Sequence, residues 1–395
     1  MNKKQIIALC AAIAFVFAAC AAVTTFLIMR NSNKDEIYVA GDRYERLLKF
    51  FELDDIADLV DEHYYKEMES DELVRGALEG FLSELGDGYS KFYPEEYFKY
   101  FDENTEGSYM GQGMLVDKDD KTGYIIVKRV FADTPAYEQN ISAGNMIKAI
   151  DGLDTSLMDA ESAVSCLRGA DGTDITLTVL AGETEMEVKF IRKNPKSQVV
   201  FSDMLENSIG YIDIAEFSGS SVSDFKNAVK TITDEGAKSV IIDIRDNPGG
   251  YISQAAEIAD MLLSSGDIYY TLNRTGEKFV ISADSSTDLS IPIAVLINEE
   301  TKGVAEVFAA ALKENNAATL VGTATYGKGV VLTTMQVPNT GDGIRLVTAH
   351  YYSPDGNPIN KDGVTPNSTV VPAESAGTSA ESDTQLQKAI EALAG

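Results

Sequence analysis

Ala294-Val-Leu-Ile-Asn298-Glu-Glu-Thr301-Lys302-Gly303-Val304-Ala305-Glu306-Val-Phe-Ala-Ala-Ala-Leu312 passes from an apolar run through a polar string into an apolar helix. Leu320-Val-Gly-Thr-Ala-Thr-Tyr-Gly327-Lys328-Gly329-Val-Val-Leu332 follows it. Thr301, with Glu306 and the apolar run behind it, is placed as the cap of that helix. Lys328 stands 328 − 303 = 25 residues beyond Gly303. Glycine on either side lets the backbone pack closely and keep water from the amine. A surface lysine in a hairpin turn is the plainer reading of the same residues.

Upstream, Ser239 to Arg245 reads as a strand, and Asp243-Ile-Arg-Asp-Asn247-Pro-Gly249-Gly250 ends it in a turn that calls for glycine φ angles. Ser208 to Ile214 is a second strand; Val222 to Asp234 and Ile252 to Leu263 are helical. Strands alternating with helices imply a sheet covered by helices. Downstream lie Leu346-Val-Thr-Ala-His350-Tyr351-Tyr352-Ser-Pro-Asp-Gly356 and Gly363-Val-Thr-Pro366. Pro372 to Asp383 is a small, polar, disorder-prone tract, and Thr384 to Ala394 returns to helical spacing.

Residues 107 to 193 follow a different rhythm. Tyr124 to Val130, Ile147 to Ile150 and Ile175 to Val179 read as strands, with turns at Asp151-Gly152 and Asp171-Gly172 and a helix from Ala160 to Leu167. From Tyr44 to about Tyr100 the spacing is helical, through Leu47, Leu48, Phe51, Ile56, Leu59 and then Leu73, Ala77, Phe81. Tyr93-Pro-Glu-Glu-Tyr97 restarts a short helix at its proline.

The chain has 395 residues, 44% hydrophobic and 24% charged, which suits two or three globular domains. A net charge of −29 argues against nucleic acid as a partner, since phosphate binding needs a basic surface. Residues 6–29 carry no charge and follow Lys3 and Lys4. Roughly 24 helical residues cross an apolar core of about 30 Å. The basic flank predicts a single-pass signal anchor in the cell membrane, with the remaining chain extracytoplasmic. A cleaved signal peptide, or lipidation at Cys20, is the alternative. Cys166 stands alone outside the apolar run and reads as a small core residue. Two histidines, His63 and His350, leave little for a metal site, and no metal or cofactor is expected.

Taken together these segments resemble the C-terminal processing peptidases, the S41 family of serine peptidases. The resemblance rests on the opening stretch, on the Asn-Pro-Gly-Gly turn, on the two downstream segments, and on four pieces that match a PDZ domain. Those four are Gly107-Ser-Tyr-Met110-Gly111-Gln112-Gly113-Met114, Thr134-Pro-Ala136, Ala143-Gly-Asn-Met-Ile-Lys-Ala-Ile-Asp-Gly152 and Leu167-Arg168-Gly169. It runs from about Tyr44 to the end of the chain. It implies an α/β, α+β multidomain fold: an N-terminal helical element, a PDZ domain and a sheet-and-helix peptidase domain. The implied division is a cytoplasmic stub 1–5, anchor 6–29, stalk 30–43, helical region 44–106, PDZ domain 107–193, S41 domain 194–371, and a polar linker with a C-terminal helix 372–395.

In the family a Ser-Ala-Ser-Ala-Ser-Glu string precedes the apolar helix, and its third residue is the nucleophile. Here the string is Thr301-Lys302-Gly303-Val304-Ala305-Glu306, so Gly303 holds the nucleophile position and the hydroxyl is absent. Lys328 matches the general-base lysine. The glutamine that orients that lysine is replaced by Leu332, and Gln336 is a weak substitute. Gly249, Gly250 and Val304 match the backbone donors of the oxyanion hole, which need no side chain. Thr301 and Ser253 are poor alternative nucleophiles. Thr301 lies two helical steps from Gly303, about 200° around the axis. His350 reads as structural. Met110, Gly111, Gln112, Gly113 and Met114 match the PDZ loop that offers successive N–H groups to a peptide carboxylate, with the next strand edge receiving the peptide.

The resemblance therefore leaves two functions. One is a membrane-anchored pseudopeptidase that binds protein C-termini through its PDZ domain without cutting them. The other is an active serine-type endopeptidase using a non-standard nucleophile. The coordinated loss around Gly303 favours the first. A homo-oligomer is compatible with either.

Overall fold

The computed structural model describes residues 41–99, 110–119, 121–170, 172–193, 198–284, 289–372 and 382–394. The expected anchor at 6–29, the segment 107–109 and most of the polar tract after Pro372 lie outside the described residues. Two compact units divide the chain, residues 1–77 and 78–395.

Among its described residues the first unit holds α1 (Gly41–Leu48), α2 (Phe51–His63) and the start of α3 (Ser70–Ser83). The helical spacing read from the sequence is present, but α2 buries none of its residues. Leu47, Phe51, Leu53, Ile56 and Leu59 are all exposed.

The second unit begins with β1 (Lys91–Tyr93) and α4 (Glu95–Phe98), which Pro94 precedes. A PDZ-type sheet follows: β2 (Met110–Gly111), β3 (Met114–Lys118), β4 (Ile125–Val130), α5 (Pro135–Glu138), β5 (Met146–Ile150), β6 (Leu153–Asp154), α6 (Ala160–Arg168), β7 (Asp174–Ala181) and β8 (Thr184–Ile191). Its order is β2-β3-β4-β5-β7-β8, with β6 on β5. Asp159 caps α6 by accepting the Ser162 N–H, and Gly169 ends it at φ 50°. The alternate residues Ile175, Leu177 and Val179 of β7 point into a core shared with Val164 and Leu167 of α6. Cys166 lies in that core, as expected of a small hydrophobe.

The remaining elements are β9 (Val200–Leu205), β10 (Ile209–Ile214), α7 (Ser221–Asp234), β11 (Ser239–Asp243), α8 (Ile252–Asp260), β12 (Asp267–Asn273), β13 (Lys278–Ser282), β14 (Ile293–Ile297), α9 (Val304–Glu314), β15 (Thr319–Gly322), β16 (Val330–Gln336), β17 (Gly343–Tyr352), β18 (Ser368–Thr369) and α10 (Thr384–Leu393). A central sheet runs β18-β15-β14-β11-β10-β9, parallel except at β9. Its central strands β11 and β14 are buried along their whole length and mostly or wholly apolar because both faces are covered. Val295 and Ile297 of β14 face the core of α7, α8 and α9, while Ala294 and Leu296 face Leu386 and Ala389 of α10. A second, antiparallel sheet joins β1, β17, β12 and β13, with β16 paired to β17. Every strand and helix read from the sequence is present, with ends shifted by a few residues.

The two sheets and the PDZ region meet where α9 begins. Leu115, Phe131 and Ala160 of the PDZ region are buried in the same core as Phe217 and Phe308.

Candidate active site

The string after β14 turns sharply before its helix starts. Thr301 was expected to cap α9, and the structure corrects this. The capping residue is Gly303, at φ 59° and ψ −120°. Thr301 is fully buried; its hydroxyl donates to the Ile244 carbonyl at 2.9 Å and accepts the Asn298 N–H at 3.1 Å. That hydroxyl ties the turn to the end of β11 and is two residues too early to serve the helix.

Glu306, in the first turn of α9, organises the site. Its buried carboxylate accepts the Gly303 N–H at 2.9 Å, the Gly327 N–H at 2.7 Å, the Lys328 N–H at 2.8 Å and the Thr325 hydroxyl at 2.5 Å. Burial raises its pKa above the usual carboxylate value, and these four donors only partly oppose the rise. The Gly327-Lys328 turn is thereby pinned to the start of α9. A Cβ built on Gly303 would stand 3.9 Å from Lys328 Cδ and 3.8 Å from the Pro248 carbonyl oxygen, with no other contact inside 4 Å.

The Asn247-Pro-Gly249-Gly250 turn closes the other side. Asn247 Nδ2 donates to the Ile214 carbonyl at 2.7 Å, and the Asn247 carbonyl accepts the Lys302 N–H at 2.9 Å. Gly250 has φ 131°, and a Cβ there would lie 2.3 Å from the Phe217 carbonyl oxygen, so only glycine fits. Of the three expected oxyanion donors, the Gly249 N–H donates to Asn247 Oδ1 at 2.9 Å. Among the described residues the Gly250 and Val304 N–H groups meet no acceptor, and both residues line one cleft of roughly 320 Å³.

Lys328 and Leu332 line that cleft, together with Ile252, Val330 and Tyr351. Among the described residues no serine, threonine or cysteine is part of the lining. Ser253 is exposed on α8 and faces elsewhere, and burial keeps the Tyr351 phenol well above its ordinary pKa. Gln336 is exposed at the end of β16, where its amide donates to the Thr340 carbonyl at 3.3 Å. His350 lies on β17 beside the Tyr270–Tyr352 stack, its Nδ1 buried without a partner.

The PDZ region contributes residues that the sequence did not single out. Lys328 Nζ lies 3.4 Å from Glu161 Oε1 on α6, and Glu161 Oε2 lies 2.8 Å from Arg345 of β17. Lys302, adjacent to Gly303, lies 2.6 Å from Asp117 of β3 and 3.2 Å from Glu300, with its ammonium 4.7 Å from the Tyr326 ring centre. Nothing in the local pattern announced the Lys302–Asp117 and Lys328–Glu161 pairs, because their partners are more than 160 residues apart in sequence.

The expected peptide loop also takes a particular form. Gly111 faces Met114 across a two-residue turn with Gln112 at φ 56° and Gly113 at φ 81°, a tight hairpin. Gln112 is buried, donating to the Leu167 carbonyl at 2.8 Å and accepting the Lys193 N–H at 3.0 Å. Met114 is fully buried in the PDZ core. Beyond Leu115, β3 is paired among the described residues on one side only, to β4.

A helix-start turn, a lysine turn and a Gly-Gly turn converging on one cleft, with a PDZ sheet against it, is an arrangement that can be compared with known proteins. Peptidase family S41 matches residues 208–370, the PDZ domain family residues 103–180, and the activating protease CtpB N-terminal domain family residues 8–97. The carboxy-terminal processing protease CtpA of Bacillus subtilis is 31% identical over 90% of this chain and 75% of its own length. The chain belongs to the S41 family of C-terminal processing proteases. A carboxyl-terminal-processing protease of Synechocystis sp. is 30% identical over 81% of this chain and 76% of its own. A solved photosystem II D1 C-terminal processing protease shares the fold at a TM-score of 0.59 and 23% identity, over 85% of this chain and 95% of that one.

Proposed function

We propose that this S41 member is a pseudopeptidase: a membrane-anchored, extracytoplasmic receptor that captures protein C-termini through its PDZ domain and does not cleave them. One observation carries the reading. Gly303 occupies the position that faces Lys328 across the cleft, and among the described residues no aliphatic hydroxyl or thiol lines that cleft. Acyl transfer by this family's chemistry needs a nucleophile within reach of the base. Lys328 and the Gly250 and Val304 N–H groups have nothing to activate. Leu332, an apolar residue beside Lys328, can neither accept from nor donate to the amine.

Peptide capture asks for less. A strand edge and an apolar groove suffice, and β3 beyond Leu115 offers an edge with α6 beside it. The uncharged run 6–29 supports the anchor, although among the described residues no helix is long and apolar enough to cross a membrane. The exposed apolar face of α2 supports a homo-oligomer in which a second copy covers it. The test is binding of a peptide of about ten residues with an apolar C-terminus to the full chain. The acid is expected to bind and its C-terminal amide to bind at least tenfold worse, without turnover. Equal binding of both forms removes carboxylate recognition, and turnover removes the pseudopeptidase reading.

A further inference from the structure

We propose that the cleft beside Gly303 is itself a carboxylate site, which holds the terminal carboxylate of a short peptide as a bound ligand rather than a substrate. The proposal rests on the pseudopeptidase reading but concerns a different place from the PDZ groove. Gly250 and Val304, whose N–H groups meet no acceptor among the described residues, come from separate segments and line the same cleft as Lys328. In a peptidase such donors meet an oxyanion that exists only transiently. A carboxylate presents the same acceptors permanently, with its charge already formed. The feature that turns one use into the other is Gly303. A Cβ at that position would have only the Pro248 carbonyl oxygen and Lys328 Cδ within 4 Å, so the space above its Cα is open to a ligand atom.

The surroundings set the ligand class. Ile252, Val330, Leu332 and Tyr351 form apolar walls that suit the last side chain of an apolar terminus. Leu332 sharpens this, because an apolar wall beside Lys328 leaves the ammonium facing the cleft without a neutral polar competitor on that wall. Glu161 is the built-in rival for Lys328. Its contact with Lys328 is 3.4 Å, longer than the ~2.7–2.9 Å of a charge-assisted bond, whereas Arg345 holds it at 2.8 Å. Arg345 therefore draws Glu161 toward β17, away from Lys328. The rivalry gives the proposal a signature that passive cleft binding lacks: weakening Glu161 strengthens the ligand.

The experiment is calorimetric titration of the full chain with acetyl-Ala-Ala as acid and as amide, a probe too short to add a strand to β3. The acid is expected to bind at one per chain and at least ~10-fold tighter than the amide. Lys328→Met is expected to remove that difference, and Glu161→Gln to raise acid affinity several-fold, with unfolding curves checking that both variants fold. Equal affinity of acid and amide, an unchanged preference in Lys328→Met, or no gain in Glu161→Gln each overturns the proposal. The longer tail peptide separates the two readings. If its acid still binds Lys328→Met as it binds the wild type while acetyl-Ala-Ala loses its acid preference there, both readings stand; if acetyl-Ala-Ala keeps that preference, the cleft reading alone falls. If only acetyl-Ala-Ala binds, the PDZ reading falls and the cleft reading stands.

Discussion

Lys302 Nζ lies 2.6 Å from Asp117 Oδ2, joining the residue before Gly303 to the third layer of the molecule, the PDZ strand β3. Both side chains are largely buried. Burial works against the ammonium, yet the Asp117 and Glu300 carboxylates outweigh it and raise the Lys302 pKa. Removing one partner of a buried pair strands the other and costs about 3–5 kcal/mol. Lys302→Ala is expected to lower stability toward the bottom of that range and to speed amide exchange in β3 and α6 more than in the central sheet. Exchange that rises evenly across both would show that the pair does not hold this interface.

Acid should loosen the same interface from the other side. Burial alone would raise the Asp159 pKa. The Arg345 guanidinium at 2.7 Å, Lys91 and the Tyr93 hydroxyl at 2.6 Å override it and hold the carboxyl far below its ordinary 3.8. A depressed carboxyl contributes stability that is complete above its unfolded pKa and disappears as pH falls through the folded one. Stability should therefore decline as pH drops below 3.8, and Arg345→Met should flatten that decline. The raised Lys302 gives the opposite limb: its contribution is complete below 10.5 and is lost as pH climbs through the higher folded value. Melting temperature against pH, for wild type and Arg345→Met, measures both limbs.

Glu306 is expected to be among the least replaceable residues near the cleft. Its carboxylate accepts from Gly303, Thr325, Gly327 and Lys328. Glu306→Ala leaves those donors without an acceptor, at about 1–3 kcal/mol for each that water cannot reach. The expected result is a loss above roughly 3 kcal/mol or failure to fold, with Glu306→Gln milder because its amide oxygen still accepts. Denaturant unfolding of both variants decides it; equal stability of Ala and Gln forms would contradict this role.

Gly303→Ser should destabilise without a clash. The position has φ 59° and ψ −120°, where a side chain is strained, while the nearest atoms to its Cβ are 3.8 and 3.9 Å away. Strain of this kind costs of order 1–3 kcal/mol. A measured loss in that window would place the cost in the backbone; no loss would mean that the turn relaxes.

The strands and helices were legible because each follows a local rule. The runs Val240 to Ile242 and Ile293 to Ile297 are apolar throughout because both faces of their sheet are covered. The convergence of Gly303, Lys328 and the Asn247-Gly250 turn was legible only through the family resemblance. Three kinds of information were not in the pattern. Thr301 looked like a cap, yet its hydroxyl bonds the end of β11, a strand that arrives from 57 residues upstream. The stretch Met110 to Met114 was read as a loop offering successive N–H groups, and the pattern did not show that it is a two-residue hairpin turn with Gln112 buried. The charges Asp117, Glu161, Lys302 and Arg345 each look like ordinary surface residues until the PDZ sheet packs on the cleft.

The most direct test of retained recognition without hydrolysis is the cleavage of an unstructured protein with an apolar tail, by wild type, Gly303→Ser and Lys328→Ala chains. No turnover is expected from wild type, some from Gly303→Ser, and none when Lys328→Ala is added to it. Turnover by the wild-type chain that Lys328→Ala abolishes would contradict this expectation.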